Sequence, residues 1–277
     1  MTLYANEIII DASTISQHLG NDTDRLCGTL PRTCAVGSMA YAPEIPSDFK
    51  ILPRDQWATR IQQMDAEKSR LSDFVLHQKI PCKSQQQTLY CHGNSPAAAI
   101  EFLRAVEGQT YVPLSAASIA GPTVGYQNQG GYIADDLKQV TSTGAASEYY
   151  VPANQIGAQG FKRGWKDDAA NYRAKEWWDL GHRSRYSFDL LMTLLFARIP
   201  VCVAYNFWQH AVTMTDPVRM PNGGYGARGR NSWSESYGHS GFFVLDESYA
   251  TPDEAYALRS ITQASVDYHG MSLAREV

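Results

Sequence analysis

The sequence predicts an α+β fold of two lobes, with any functional site in the cleft between them. Up to about residue 198 the chain carries helix-periodic stretches with cap and stop signals, whereas from residue 200 short β-rich runs alternate with turn residues. That segregation favours helices packed beside an antiparallel sheet. Size supports it. The 277 residues are 44% hydrophobic, 19% charged and 11% aromatic, enough for a substantial core in one large domain or two lobes and incompatible with a disordered chain.

Residues 1–47 are mixed, with Gly, Thr and Pro around a strand-like run at 7–11, and read as an N-terminal arm or accessory segment. The main domain is expected at 48–250, its helical lobe at about 48–185 and its β lobe at about 186–250, with 251–277 as a C-terminal extension. Within 55–79, Trp57, Ile61, Met64, Leu71, Phe74 and Val75 recur at mostly three- and four-residue steps among charges, which predicts helix with room for a break in its middle. Residues 95–106 open with Ser95 in a cap position and Pro96 at the first helical position, then run through good helix formers to Gly108. A Gly-rich section at 121–131 leads into a helix at about 132–141, 145–170 reads as mostly loop, and 186–198 as an apolar helix ending before Pro200. The stretches 200–205, 211–215, 226–232 and 241–246 are β-rich and separated by turn signals, as in an antiparallel sheet.

Charge excludes some function classes. Lys plus Arg total 24 against 28 Asp plus Glu, a net charge of −4, and nothing in that balance recommends a nucleic acid partner. The apolar runs at 188–197 and 199–205 are interrupted by Asp189 and Pro200 and fall short of the ~20 residues that span a bilayer, so no membrane segment is expected. The start of the chain carries Glu7 and Asp11 and has neither a basic start nor a long apolar run, so no signal peptide is read and a cytoplasmic or particle-associated location is expected. The cysteines, Cys27, Cys34, Cys82, Cys91 and Cys202, are odd in number, which leaves at least one thiol free, although Cys27 and Cys34 could pair in an oxidising medium. No zinc-type Cys pair, HExxH pattern or phosphate loop is present, so neither a metal nor a cofactor is expected.

Cys91 is where chemistry enters. It lies just before the capped helix, where the partial positive charge of a helix N-terminus favours thiolate over thiol. His210 stands at the edge of the β half and Asn231 in the next strand-like segment, and a Cys nucleophile with a His partner oriented by Asn is a known solution for acyl transfer. By residue type alone, Cys91 reads sooner as a small buried core residue.

The local sequence resembles the papain-like cysteine peptidases. In 81–91 Gln85 stands six residues before Cys91, as a Gln stands before the nucleophile in that family. Gln209-His210-Ala211-Val212 is similar to its His-Ala-Val segment, and 230–242, with Asn231-Ser232-Trp233, to its Asn-Ser-Trp-Gly block. The middle section, from 112–115 through Asn128-Gln129-Gly130-Gly131-Tyr132 to 150–152, is similar in order and type, so the likeness covers about 50–248. His210 and Asn231 follow Cys91 by 119 and 140 residues; the family spacing is roughly 130–150, and the short His interval is attributed to 201–205 running almost directly into His210. The sequence also departs from the pattern. Leu89-Tyr90 replaces Gly-Ser, His92 replaces an aromatic, Thr88 removes a typical family disulfide, and Ser234 and Tyr237 alter the last block.

The resemblance implies a papain-like two-lobed fold and a peptidase acting through a Cys91 thiolate and a His210 imidazolium. Asn231 would orient the ring, Trp233 would shield that hydrogen bond, Gln85 would supply an oxyanion donor, and Gly130-Gly131 would let an extended substrate backbone approach. His92 would take the place of the missing wall by simple packing, or else perturb the thiolate. The implied partner is a peptide or protein substrate. No inhibitory propeptide is recognisable in 1–47, which is short and lacks a long charged helix. The alternative is a papain-like scaffold with a structural or binding role in a larger assembly and little catalysis, which the altered residues beside Cys91 favour.

Overall fold

The computed structural model describes residues 3–19, 26–31, 45–46, 49–181, 187–261 and 264–265. In chain order the elements are β1 (Ile8–Ile10), α1 (Ile15–His18), α2 (Arg54–Glu67), α3 (Leu71–His77), α4 (Cys91–Val106), α5 (Ala116–Thr123), α6 (Ile133–Ser142), α7 (Trp165–Ala169), β2 (Ala174–Asp179), α8 (Phe188–Phe196), β3 (Val201–Tyr205), β4 (His210–Arg219), β5 (Tyr225–Arg230), β6 (Phe242–Asp246), α9 (Glu247–Ala250) and β7 (Glu254–Ile261). The architecture is α+β, as expected. One sheet runs in the order β1-β6-β5-β4-β3-β7-β2, antiparallel throughout except for the parallel β1–β6 pair.

Local chemistry explains most of the helices. The helix expected over 55–79 breaks at Lys68, which takes a left-handed conformation (φ 51°) and ends α2, and α3 then restarts at Leu71. Helix α6 buries Ile133, Leu137 and Val140 on one face and places Asp135 and Asp136 in its first turn, where negative charge meets the positive end of the helix. In α8 the Ser187 hydroxyl caps the Leu190 N–H.

One boundary differs from the expectation. Helix α4 starts at Cys91, four residues before the anticipated Ser95 cap, and Pro96 lies inside it. Ser95 is instead buried against the sheet: its hydroxyl donates to the Val212 carbonyl at 2.9 Å, and Thr213 Oγ1 donates back to the Ser95 carbonyl at 3.0 Å. Nearly every α4 residue is buried, so tertiary packing outweighs the one backbone bond that Pro96 forgoes. The consequence for the site is direct, because Cys91 is itself the first residue of the central helix.

The sheet also reaches beyond the limits expected for the β lobe. Strand β7, in the stretch read as a C-terminal extension, lies between β3 and β2, and β2 itself belongs to the part read as helical. Residues of β7 are buried on both faces, which erases the two-residue alternation that marks a half-exposed strand. Strand β1 lies within the run at 7–11. It is anchored by a buried ion pair in which Arg228 Nε donates to Glu7 at 2.5 Å. The proposed Cys27–Cys34 pairing lies outside the described residues, because Cys34 is not among them.

Candidate active site

Cys91 opens α4 with its side chain fully buried. Among the described residues two groups hydrogen-bond to its sulfur, and both come from residues 26–31 of the N-terminal arm. The Gly28 N–H donates to Cys91 Sγ at 3.2 Å, and Thr29 Oγ1 lies 3.3 Å from it.

His210 is the first residue of β4, opposite Tyr205 across a hairpin whose connection is 206–209. This short turn accounts for the small Cys-to-His interval. Its Nε2 lies 2.7 Å from Asn231 Oδ1, and the same Oδ1 accepts the Ser232 N–H at 2.7 Å. The backbone donor fixes which end of the Asn231 amide faces His210, so Nε2 must carry a proton and the neutral ring keeps its lone pair on Nδ1. His210 Nδ1 is buried and makes no hydrogen bond among the described residues. Trp233 stacks on the imidazole with centroids 4.5 Å apart and planes 24° apart. Trp208 closes a second side of the ring edge-on at 5.2 Å. Sequence reasoning missed Trp208; its place two residues before His210 on the same turn is the only signal it offered.

Gln85 is buried. Its Oε1 accepts from the Ser232 hydroxyl at 2.6 Å, which turns Nε2 outward to donate to the Leu26 carbonyl at 2.8 Å and the Thr88 carbonyl at 3.0 Å. The backbones of Gln85 and Ser232 are joined as well, at 2.8 Å. The loop before Cys91 and the segment after Asn231 are therefore stitched together, and Ser232 serves both Gln85 and Asn231.

Gly130 and Gly131 lie beside the same segment of the arm. The Gly131 N–H donates to the Gly28 carbonyl at 2.9 Å, and the Leu30 N–H donates to the Gly131 carbonyl at 3.1 Å, so Thr29 pairs with Gly131 as in a parallel ladder. A Cβ on Gly130 would stand 2.4 Å from the Gly28 carbonyl oxygen, and one on Gly131 2.6 Å from the His92 ring. Both glycines are thus needed for close backbone approach. The Thr29 N–H completes the strap by donating to the Gln209 carbonyl at 3.2 Å.

One extended segment, 26–30, therefore touches Gln85, Cys91, Gly131 and the residue before His210. Nothing in the local sequence marks this part of the arm as packing on Cys91. Contact between Gly28 and Cys91 joins positions 63 residues apart, and no local pattern records it.

Cys82 and Cys202 are the other buried thiols among the described residues. Burial pushes the Cys202 thiol up to about 12, and burial raises Cys82 as well. His92, directly after Cys91, is paired with Asp136 at 2.5 Å in a fully buried contact. Burial alone would depress its pKa, but the Asp136 carboxylate outweighs this and holds it above the ordinary histidine value. Among the described residues, no cluster of His, Cys, Asp or Glu could hold a metal ion, and no helix is long and apolar enough to cross a membrane.

No family model matches the sequence, and no curated protein matches it either. Solved structures do. Xylellain, a cysteine protease from Xylella fastidiosa, superposes with a TM-score of 0.57 at 18% identity, over 86% of this chain and 97% of its own. Procathepsin B S9 from Trypanosoma congolense gives 0.57 at 14% identity over 85% and 86%. Digestive procathepsin L 3 from Tenebrio molitor larval midgut gives 0.53 at 20% identity over 64% of this chain; the match spans 65% of the procathepsin chain. The fold of this chain is thus the papain-like fold that these cysteine proteases share.

Proposed function

We propose that the chain is a cysteine-nucleophile hydrolase of peptide or amide bonds, with Cys91 as nucleophile, His210 as base and acid, Asn231 as the residue that orients the ring, and Gln85 as oxyanion donor. The observation that carries this reading is the strap. Gln85, Cys91 and Gly131 already hold an extended peptide backbone, the one formed by residues 26–30 of the chain itself.

In the proposed reaction the Cys91 thiol passes its proton to His210 Nδ1, and the thiolate attacks a substrate carbonyl carbon. The carbonyl oxygen takes the electron pair and is met by Gln85 Nε2, a donor of a kind worth about 3–4 kcal/mol when removed. His210 then protonates the leaving nitrogen as the C–N bond breaks, which leaves a thioester on Cys91. Water, losing a proton to His210, attacks the thioester; the acid departs and the thiol is restored.

The strap makes the described state a closed one. It presents Gly28 N–H to the sulfur and the Leu26 carbonyl to Gln85, so substrate can enter only when 26–30 leaves. A permanently seated strap would favour the second reading, a papain-like scaffold used for binding or assembly.

The full chain carrying Gly28→Ala to expel the strap and Cys27→Ser to remove the neighbouring thiol separates the two. Treated with a peptidyl epoxide and with a mixture of fluorogenic peptide amides, it is expected to be labelled at Cys91 and to release fluorophore, and Cys91→Ala to do neither while staying folded. A folded, strap-released protein whose Cys91 resists the epoxide would establish the scaffold.

A further inference from the structure

His92 replaces the aromatic that follows the nucleophile in the family the sequence resembles, and its surroundings are specific. Both His92 and Asp136 are fully buried, and His92 Nδ1 lies 2.5 Å from Asp136 Oδ2. Asp136 is itself held by the Thr123 hydroxyl at 2.9 Å. The Gln129 backbone also favours the charged ring, and His92 Nε2 makes no hydrogen bond among the described residues. The face of the ring lies against Gly131, so closely that a Cβ there would meet Cε1 at 2.6 Å and Nδ1 at 2.9 Å.

These contacts join three pieces of backbone at one point. His92 belongs to the first turn of α4, one residue after Cys91. Asp136 belongs to the first turn of α6, and the segment 129–131 leads directly into that helix. The outer part of the same loop is laced to the turn before Cys91: Tyr90 Oη donates to the Gln127 carbonyl at 2.9 Å, Asn128 Oδ1 accepts the Leu89 N–H at 2.8 Å, and Asn128 Nδ2 donates to the Gln87 carbonyl at 3.0 Å. At Gly131 the contact from the start of α4 is the His92 ring.

We propose that His92, fixed by Asp136, is a positioning residue that sets the height of the Gln129–Gly131 strip relative to Cys91, and so determines how an extended backbone pairs with Gly131. The inference rests on the reading of this cleft as a peptide-binding site. It does not need the site to be catalytic, because the strap itself pairs with Gly131 and reports where the strip lies.

The test is amide hydrogen exchange by NMR on the full chain, read at Gly131 and Leu30, whose N–H groups bond across the strip. Asp136→Asn keeps an acceptor for His92, whereas Asp136→Ala removes it. In Asp136→Ala these two amides are expected to exchange about tenfold or more faster relative to amides of the β3–β4 ladder, as befits a lost buried hydrogen bond, with Asp136→Asn close to wild type. His92→Gln, too short to support the strip and face Asp136 together, is expected to show the same selective loss and serves if Asp136→Ala does not fold. Unchanged exchange at both amides in the variants, or acceleration spread equally over the sheet, overturns the proposal. A second readout belongs to the strap-released Gly28→Ala protein, in which Asp136→Ala is expected to raise KM for an extended peptide about tenfold while kcat moves less than threefold. If Gly28→Ala hydrolyses no peptide, the catalytic reading fails, and the exchange data still decide the role of His92.

Discussion

The backbone N–H of Gly28 points at the sulfur of Cys91 from 3.2 Å. The thiol that opens the central helix is thus paired with a peptide group of its own chain, and the Gly28 carbonyl on the other side of that residue is paired with Gly131. The strap contributes no side chain at position 28, and it has no room for one. A Cβ there would fall 1.8 Å from the Leu89 carbonyl oxygen, which is rigid backbone at the end of the loop that leads into α4.

Gly28→Ala is therefore expected to unseat the strap without disturbing the rest of the fold. Overpacking of this kind costs about 1–3 kcal/mol, which corresponds to roughly a five- to 150-fold rise in the open fraction. Iodoacetamide labelling of Cys91, followed by mass spectrometry in a Cys27→Ser background, should accelerate by that factor. Equal rates in the presence and absence of the added methyl would show that the strap does not control access to the thiol.

Asn231 makes a sharper case than its position in a motif suggests, because its Oδ1 accepts from both His210 Nε2 and the Ser232 N–H. Asn231→Ala leaves two buried donors without an acceptor, at about 1–3 kcal/mol each, and frees the His210 ring to take the other tautomer. Turnover by the strap-released protein should fall about a hundredfold or more, with a lowered denaturation midpoint. A variant with full turnover would mean that the tautomer is set elsewhere.

The degree to which all this could be read in the sequence depended on whether a feature was local. Cys91, His210, Asn231 and Trp233 each stand in a short motif with its own spacing, and the strands around His210 and before Asn231 alternate with clear turn signals. The helix expected at about 132–141, after the Gly-rich section, is α6. What escaped were relationships across the chain. Asp136 in the first turn of a helix reads as ordinary charge compensation, and nothing nearby marks it as the partner of a histidine 44 residues earlier. Strand β7 hid because burial on both faces removes alternation. The helix start moved from Ser95 to Cys91 because burial against β4 outweighed the local cap signal.

Thiol reactivity should divide the cysteines by environment. Cys202, pushed up to about 12, and Cys82, also raised by burial, are expected to stay unlabelled in the native protein at pH 7 and to react only on unfolding. Cys27 is half-buried within the strap and should react before Cys82, Cys91 and Cys202. Peptide mapping after brief alkylation reads the order directly, and early labelling of Cys202 would contradict its place in the core.

The His92–Asp136 pair carries a pH signature whose sign follows from its direction. Burial pulls the His92 pKa down, but Asp136 from α6, Cys91 from its own helix and the Gln129 backbone from the strip together raise it above the unfolded value, with the Tyr90 ring packed alongside. A histidine with a raised folded pKa binds more protons folded than unfolded, so its contribution to stability is complete below the unfolded value of about 6.5 and is lost as pH rises through the folded value. Asp136→Asn removes the charge that raises it. The stability difference between wild type and Asp136→Asn, measured by urea denaturation from pH 5.5 to 9 in a Cys91→Ala background that takes the thiol out of the account, should be largest at the acid end and shrink as pH rises. A difference that grew toward alkaline pH would mean that His92 is held neutral in the folded chain, and the ion pair would have to be abandoned.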